Sequence, residues 1–238
     1  MEHLFEKAAT DDFDAEAVTM SVFGKLSRIS RNRKLKLFHK MMKPTKEASI
    51  LDIGAEIDPS HVTSLQFIDD YPWKNKVTAI NLSSEHISHL QEYYPEVDAR
   101  VGDACNLPWE DKHFDIAYSN AVIEHVGSFE KQKKMAAEIM RVGKRWFVTT
   151  PNRWYPFEFH MRLPLVTWLP YNGYLWAGRI ISYDHEQHEY TIGRRRNDLR
   201  LMTARDLRKC FPDSKVIKQR VTFMAETLIV VGGDVLPR

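Results

Sequence analysis

Between Ser49 and Thr149, short apolar runs alternate with amphipathic stretches, and no other feature restricts the fold of this chain as much. Ser49–Ile53, Lys76–Leu82, Asp98–Gly102, Phe114–Ser119 and Arg145–Thr149 have the length and apolar content of strands. Pro59–Tyr71, Ser84–Tyr94 and Phe129–Val142 carry apolar residues at helical spacing. Asp58 before Pro59 supplies a capping acid and a first-turn proline for the first of these helices. Strand, helix and strand joined by short connections call for a parallel sheet covered on both faces.

The flanks differ in character. Residues 14–43 read as a helix with Leu26, Ile29, Leu35, Phe38 and Met42 toward a core. Arg28, Arg31, Arg33, Lys34, Lys36, Lys40 and Lys43 fill much of the rest, which reads as a solvated basic face. After Pro151 the periodicity fails, and nine aromatic side chains fall between Trp154 and Tyr183. Order resumes with a helix over Thr203–Cys210, capped by Thr203, and strands at Lys215–Val221 and Glu226–Val231. The expected architecture is α/β: a Rossmann-like, seven-stranded, mostly parallel sheet with helices on both faces. An N-terminal helical segment over 1–47 precedes the main domain over 48–238, and an inserted lid spans 151–200.

Composition removes several alternatives. A formal net charge of +2 gives no electrostatic case for nucleic acid. Cys105 and Cys210 stand far apart with no metal-ligand spacing, so a disulfide framework is not expected and a cytoplasmic location is. The N-terminus lacks an apolar core of signal-peptide length. Leu163–Ile181 is the most apolar stretch, but Pro164, Pro170, Asn172, Gly173 and Arg179 interrupt it. It reads as a segment that could touch a membrane surface without spanning it.

In open α/β sheets ligands gather beyond the carboxyl ends of the strands, where the strand order reverses. Leu51-Asp52-Ile53-Gly54-Ala55-Glu56 follows this rule after the first strand, with Gly54 permitting a close backbone turn. Asn81 and Leu82 end the second strand, Gly102-Asp103-Ala104 the third, and Asn120-Ala121-Val122-Ile123-Glu124-His125 the fourth. Together with Leu107-Pro108 and Phe114-Asp115-Ile116-Ala117, these residues resemble the type 11 group of class I methyltransferases over about residues 48–150. The resemblance implies S-adenosylmethionine as cofactor. It places Asp52, Gly54 and Ala55 along the methionine and ribose portion, Asn81 and Leu82 at ribose and adenine, Asp103 and Ala104 at the adenine edge, and Asn120 and Ala121 near the sulfonium. Glu56 and Asp58 stand where the family has further glycines, and Asn81 where it has an acid. Glu56 either repels the cofactor's carboxylate or meets its ammonium group.

Methyl transfer from a sulfonium needs alignment and, for a hydroxyl acceptor, a base. His125, just after the fourth strand, is the candidate base; His160, Tyr183 and Tyr190 are weaker ones. Asp184, His185, His188 and Glu189 lack a distant further ligand, so no metal site is expected. Glu124 and Asp115 read as caps or solvent-facing acids. Arg194-Arg195-Arg196 with Arg200 reads as a surface run able to meet an acidic group. Thr150-Pro151-Asn152-Arg153-Trp154, with Leu163-Pro164 and Trp168-Leu169-Pro170, is similar to methyltransferases of bacterial envelope glycans. The expected acceptor is therefore a small molecule or a lipid-linked glycan, methylated at oxygen. The alternative is a binding or regulatory module on the same fold, without turnover.

Overall fold

The computed structural model describes residues 15–57, 67–158, 160–184, 189–192 and 199–234. Seven strands form one sheet: β1 (Ile50–Ile53), β2 (Val77–Asn81), β3 (Asp98–Val101), β4 (Phe114–Asn120), β5 (Gly143–Pro151), β10 (Lys215–Arg220) and β11 (Ala225–Gly233). Their order across the sheet is β10-β11-β5-β4-β1-β2-β3. Neighbours from β3 to β5 run parallel, and β11 is antiparallel to both β5 and β10. The chain leaves β1 toward β2 and β3, then returns to β4 on the other side of β1. That reversal opens a crevice at the carboxyl ends of β1 and β4.

All four β1 residues are buried, as a strand covered on both faces requires. Leu51 and Ile53 face Met135, Ala136 and Ile139 of α4 (Phe129–Val142) and Leu207 of α6 (Ala204–Cys210). Ile50 faces the opposite layer with Phe38 and Met42 of α1 (Ala15–Met42), Phe67 of α2 (Phe67–Asp70), and Leu90 of α3 (Ser84–Tyr93). An edge-on aromatic set of Phe38 with Phe67, Tyr118 and Phe147 pins α1 to the sheet. The caps follow the sequence signals: Ser83 and Ser128 start α3 and α4, and Thr203 with Asp206 forms a full capping box for α6. Asp58, Pro59 and most of the helix they were expected to open lie outside the described residues.

Two readings of the flanks change. Lys36, Lys40 and Lys43 are exposed, but Lys34 is drawn inward and Ile29 is exposed, so α1 is not a simple two-faced helix. The 151–200 segment is more regular than its lost periodicity suggests. It holds a short hairpin of β6 (Phe157–Glu158) and β7 (Leu163–Pro164), helix α5 (Tyr171–Ile180), and a second hairpin of β8 (Ile181–Asp184) and β9 (Glu189–Ile192). Gly173 and Gly178 weaken the helical signal of α5. Gly178 is there for close approach, since a Cβ on it would lie 3.0 Å from Met161 Sδ. Met161, Tyr174, Leu199 and Leu201 give the insertion a small core of its own. Its two ends meet where Asn152 bridges Met202 and the Arg153 amide donates to the Met202 carbonyl. No helix among the described residues is long and apolar enough to cross a membrane.

Candidate active site

At the switch point the turns after β1 and β4 pack closely on each other. Gly54 has φ +79°, and its amide and that of Ala55 both donate to the Ile80 carbonyl. A Cβ at Gly54 would lie 2.3 Å from Val122 Cγ2, so the β1 and β4 turns approach closely only because the residue is glycine. Ala121 is also left-handed, with φ +58°, a strained state held by its amide bond to the Thr149 carbonyl. Asp52 is 5% exposed, and burial pushes its carboxyl up to about 7. A cationic ligand group entering the crevice would restore the charge that burial disfavours.

The remaining expected cofactor residues lie along the same rim in different states. Glu56 is exposed just beyond β1, Leu82 is 72% exposed beyond β2, and Ala104 is buried in the turn after β3. Asn81 uses both ends of its amide internally: Nδ2 donates to the Ala55 carbonyl at 2.8 Å, and Oδ1 accepts from the Ser83 amide at 2.9 Å. It braces the β1 and β2 turns against each other, where an acid would leave an acceptor for a ribose. Asp103 is exposed and accepts from the Cys105 amide through Oδ1. Asn120 Oδ1 accepts from Lys34 Nζ at 2.8 Å and from Thr149 Oγ1 at 2.7 Å.

Lys34 is a residue near the candidate site that sequence reasoning missed. Its helix crosses the carboxyl end of β4, so a residue read as solvated lines a small cavity with Arg31, Phe67, Tyr118 and Asn120. Burial, then the charge of Arg31, lowers its ammonium to about 8 despite the pull of Glu124 and Glu226. Ser30 and Gln219 bond to Glu226, and Arg33 donates to the Arg220 carbonyl, tying α1 to the β10–β11 edge.

A second polar group stands on the far side of Asn120. Glu124 and His125 occupy a 3-10 turn after β4, and His160 follows β6 in the insertion. Glu124 was read as a cap or solvent-facing acid; it is fully buried. Arg200 donates its amide to the Glu124 carbonyl, and Gln132 Nε2 donates to the carbonyls of Ile123 and Arg200. Glu124 Oε2 accepts from Thr150 Oγ1 at 2.9 Å. Burial raises this carboxyl, opposed by His160 and Lys34. His125 is exposed, and its ring meets His160 edge-on at 5.0 Å between centroids. His160 Nδ1 lies 2.7 Å from Oε1 of Glu158, whose other oxygen accepts from the Met161 amide. Burial works to raise the Glu158 carboxyl, but these bonds outweigh it and hold the group below the usual carboxylate range. Sequence reasoning did not combine Glu124, Glu158 and His160 with His125, because the contact is made across a fold of the insertion.

The other candidates separate from the site. Asp115 is structural, accepting from the Ser49 amide and from Lys144. Tyr190 donates its hydroxyl to the Arg162 carbonyl within the insertion. His185, His188 and Arg194–Arg196 lie outside the described residues.

Comparison with known proteins bears on the fold. Residues 60–146 match a family model described as a methyltransferase domain. A Mycolicibacterium smegmatis protein named "Probable S-adenosylmethionine-dependent methyltransferase" is 30% identical over 78 residues, 33% of this chain and 30% of that protein. The match thus spans less than a third of that relative. A solved structure from Pyrococcus horikoshii OT3 superposes with TM-score 0.55 at 19% identity, covering 86% of this chain and 89% of that one. An S-adenosylmethionine-dependent methyltransferase structure from Methanosarcina mazei gives 0.51 at 18% identity, covering 82% and 95%. The sheet order gives this chain the fold of class I methyltransferases, and the methyltransferase-domain match falls on residues 60–146 of it.

Proposed function

We propose that this protein transfers a methyl group from S-adenosylmethionine to a hydroxyl of a small molecule or a lipid-linked glycan. The observation that carries the reading is that two chemically distinct groups follow the carboxyl ends of β1 and β4. One is a close-turned backbone at Gly54 with buried Asp52 and polar Asn120; the other is the His125 and His160 cluster. Asp52 and Glu56 offer negative charge to the cofactor's ammonium, and Lys34 offers positive charge to its carboxylate. Asp103 and Ala104 take the adenine edge, with Leu82 against the base and Asn81 shaping the turn. Asn120 and Ala121 bound the sulfonium.

In the reaction, an acceptor oxygen attacks the methyl carbon as the carbon–sulfur bond breaks, and the electron pair leaves on a neutral thioether. The acceptor's proton is lost on the His125 side. Most of the rate comes from in-line placement, with proton removal contributing about 10²–10⁴-fold. The insertion supports acceptor binding as a lid: Trp154, Trp168 and Trp176 are 53%, 50% and 64% exposed, and such rings suit sugar faces and acyl chains. A peripheral membrane contact through this surface fits a lipid-linked acceptor.

One observation favours a second reading, a binding module without turnover: Asn81 has both ends of its amide engaged inside the protein. A screen of sugars and lipid-linked glycans, read by S-adenosylhomocysteine release, separates the two. Turnover that falls on His125→Ala supports the enzyme. Cofactor binding with no release against any hydroxyl acceptor supports the module.

A further inference from the structure

We propose that Glu124, His125 and His160 form a binding site for a divalent cation of the zinc type beside the methyl-transfer crevice. One donor atom from each residue lies within 4.8 Å of the other two. Ligands about 2.1 Å from one metal stand roughly 3–4 Å apart, so small side-chain adjustments close the set around an ion.

Three further features fit a cation better than a chance meeting of side chains. Glu124 is 0% exposed; Oε2 is satisfied by Thr150, while Oε1 is buried with no hydrogen-bond partner among the described residues. A buried carboxylate oxygen without a donor is costly, and a cation removes that cost. His160 Nδ1 lies 2.7 Å from Oε1 of Glu158, itself 1% exposed; with the proton on Nδ1, Nε2 carries the lone pair for a cation. A carboxylate behind a histidine is the usual support for a metal-bound imidazole. The three ligands also come from two separate elements, the turn clamped by Gln132 and Arg200 and the loop of the β6–β7 hairpin.

Two imidazoles and one carboxylate select zinc, iron, cobalt or manganese over magnesium or calcium. Three protein ligands leave an open position, on the side where His125 is exposed. What occupies that position rests on the function proposed above. A cation there would hold the acceptor hydroxyl and lower its pKa, so His125 and His160 would promote proton loss as ligands. Cation binding itself does not depend on that reading.

The test is calorimetric titration of zinc chloride into the chelator-treated full chain, without S-adenosylmethionine or acceptor. One equivalent should bind at about 1 µM or tighter. His125→Ala, an exposed position, should weaken binding at least ~10-fold, and Glu158→Gln about 10-fold through loss of support for His160. A His185→Ala/His188→Ala double variant should bind as the wild type does. Cobalt(II) should give a visible absorption band in the wild type that His160→Ala abolishes, which keeps the test decisive if a buried variant fails to fold. Lack of an equivalent bound below about 0.1 mM, or loss only in the His185/His188 variant, would overturn the site. Cation binding without methyl transfer would leave the site standing and remove the function; methyl transfer without cation binding would do the reverse.

Discussion

Asp52 offers the sharpest handle on the crevice. Replacing it with asparagine keeps the shape and removes an ionisable group whose carboxyl burial pushes up to about 7. In the unfolded chain an aspartate titrates near 3.9, so the folded ligand-free protein holds a proton that the unfolded chain has lost across that interval. Stability from the neutral carboxyl is therefore fully present below about pH 4 and is lost as pH rises through about 7. The full difference is about 4 kcal/mol, of which roughly 2–3 kcal/mol falls between about pH 5 and pH 8. Asp52→Asn escapes this loss. Urea unfolding of the ligand-free protein should show the variant gaining roughly 2–3 kcal/mol on the wild type over that range. Affinity for S-adenosylmethionine should run the other way, rising toward about pH 8 in the wild type and flat and weaker in the variant, because the cofactor's ammonium favours the ionised acid. Parallel stability curves for the two proteins would refute the reasoning, since a solvated carboxylate would give that result.

Gly54→Ala should cost about 2–4 kcal/mol and suppress cofactor binding, since the new Cβ meets Val122 and the backbone is left-handed. Adding Val122→Ala should recover part of the stability, and equal melting temperatures for all three proteins would show that the turns are not in close contact. Asp103→Ala should weaken S-adenosylmethionine binding by about 1.5–3 kcal/mol by calorimetry, through loss of a charged hydrogen bond; an unchanged affinity would remove it from the adenine edge. Replacing residues 151–200 by a short linker should preserve cofactor binding and abolish acceptor turnover, with unaltered turnover marking the insertion as structural only.

The sheet was legible because its signals are local. Ile50–Ile53 is apolar throughout, as a doubly covered strand must be, and Phe129–Val142 has both its serine cap and its full apolar face in one stretch. The crevice was legible for a related reason, since strand ends are set by the same pattern and the switch point follows from topology. What escaped depends on tertiary contact. Lys34 looks like any surface lysine until α1 crosses β4 and brings its ammonium to Asn120. Glu124 is buried in a turn whose carbonyl meets the returning chain at the Arg200 amide. His160 reaches His125 only because the insertion folds back on itself, and the helical signal of α5 is obscured by Gly173 and by Gly178, which packs closely on Met161.

The central claim is that the carboxyl-end crevice binds S-adenosylmethionine, and calorimetric titration of that molecule into the full chain tests it most directly. One equivalent should bind with a dissociation constant of about 1–100 µM, weakened at least ~10-fold by Asp52→Asn at about pH 8. A folded protein that takes up no S-adenosylmethionine at about 1 mM would contradict the account.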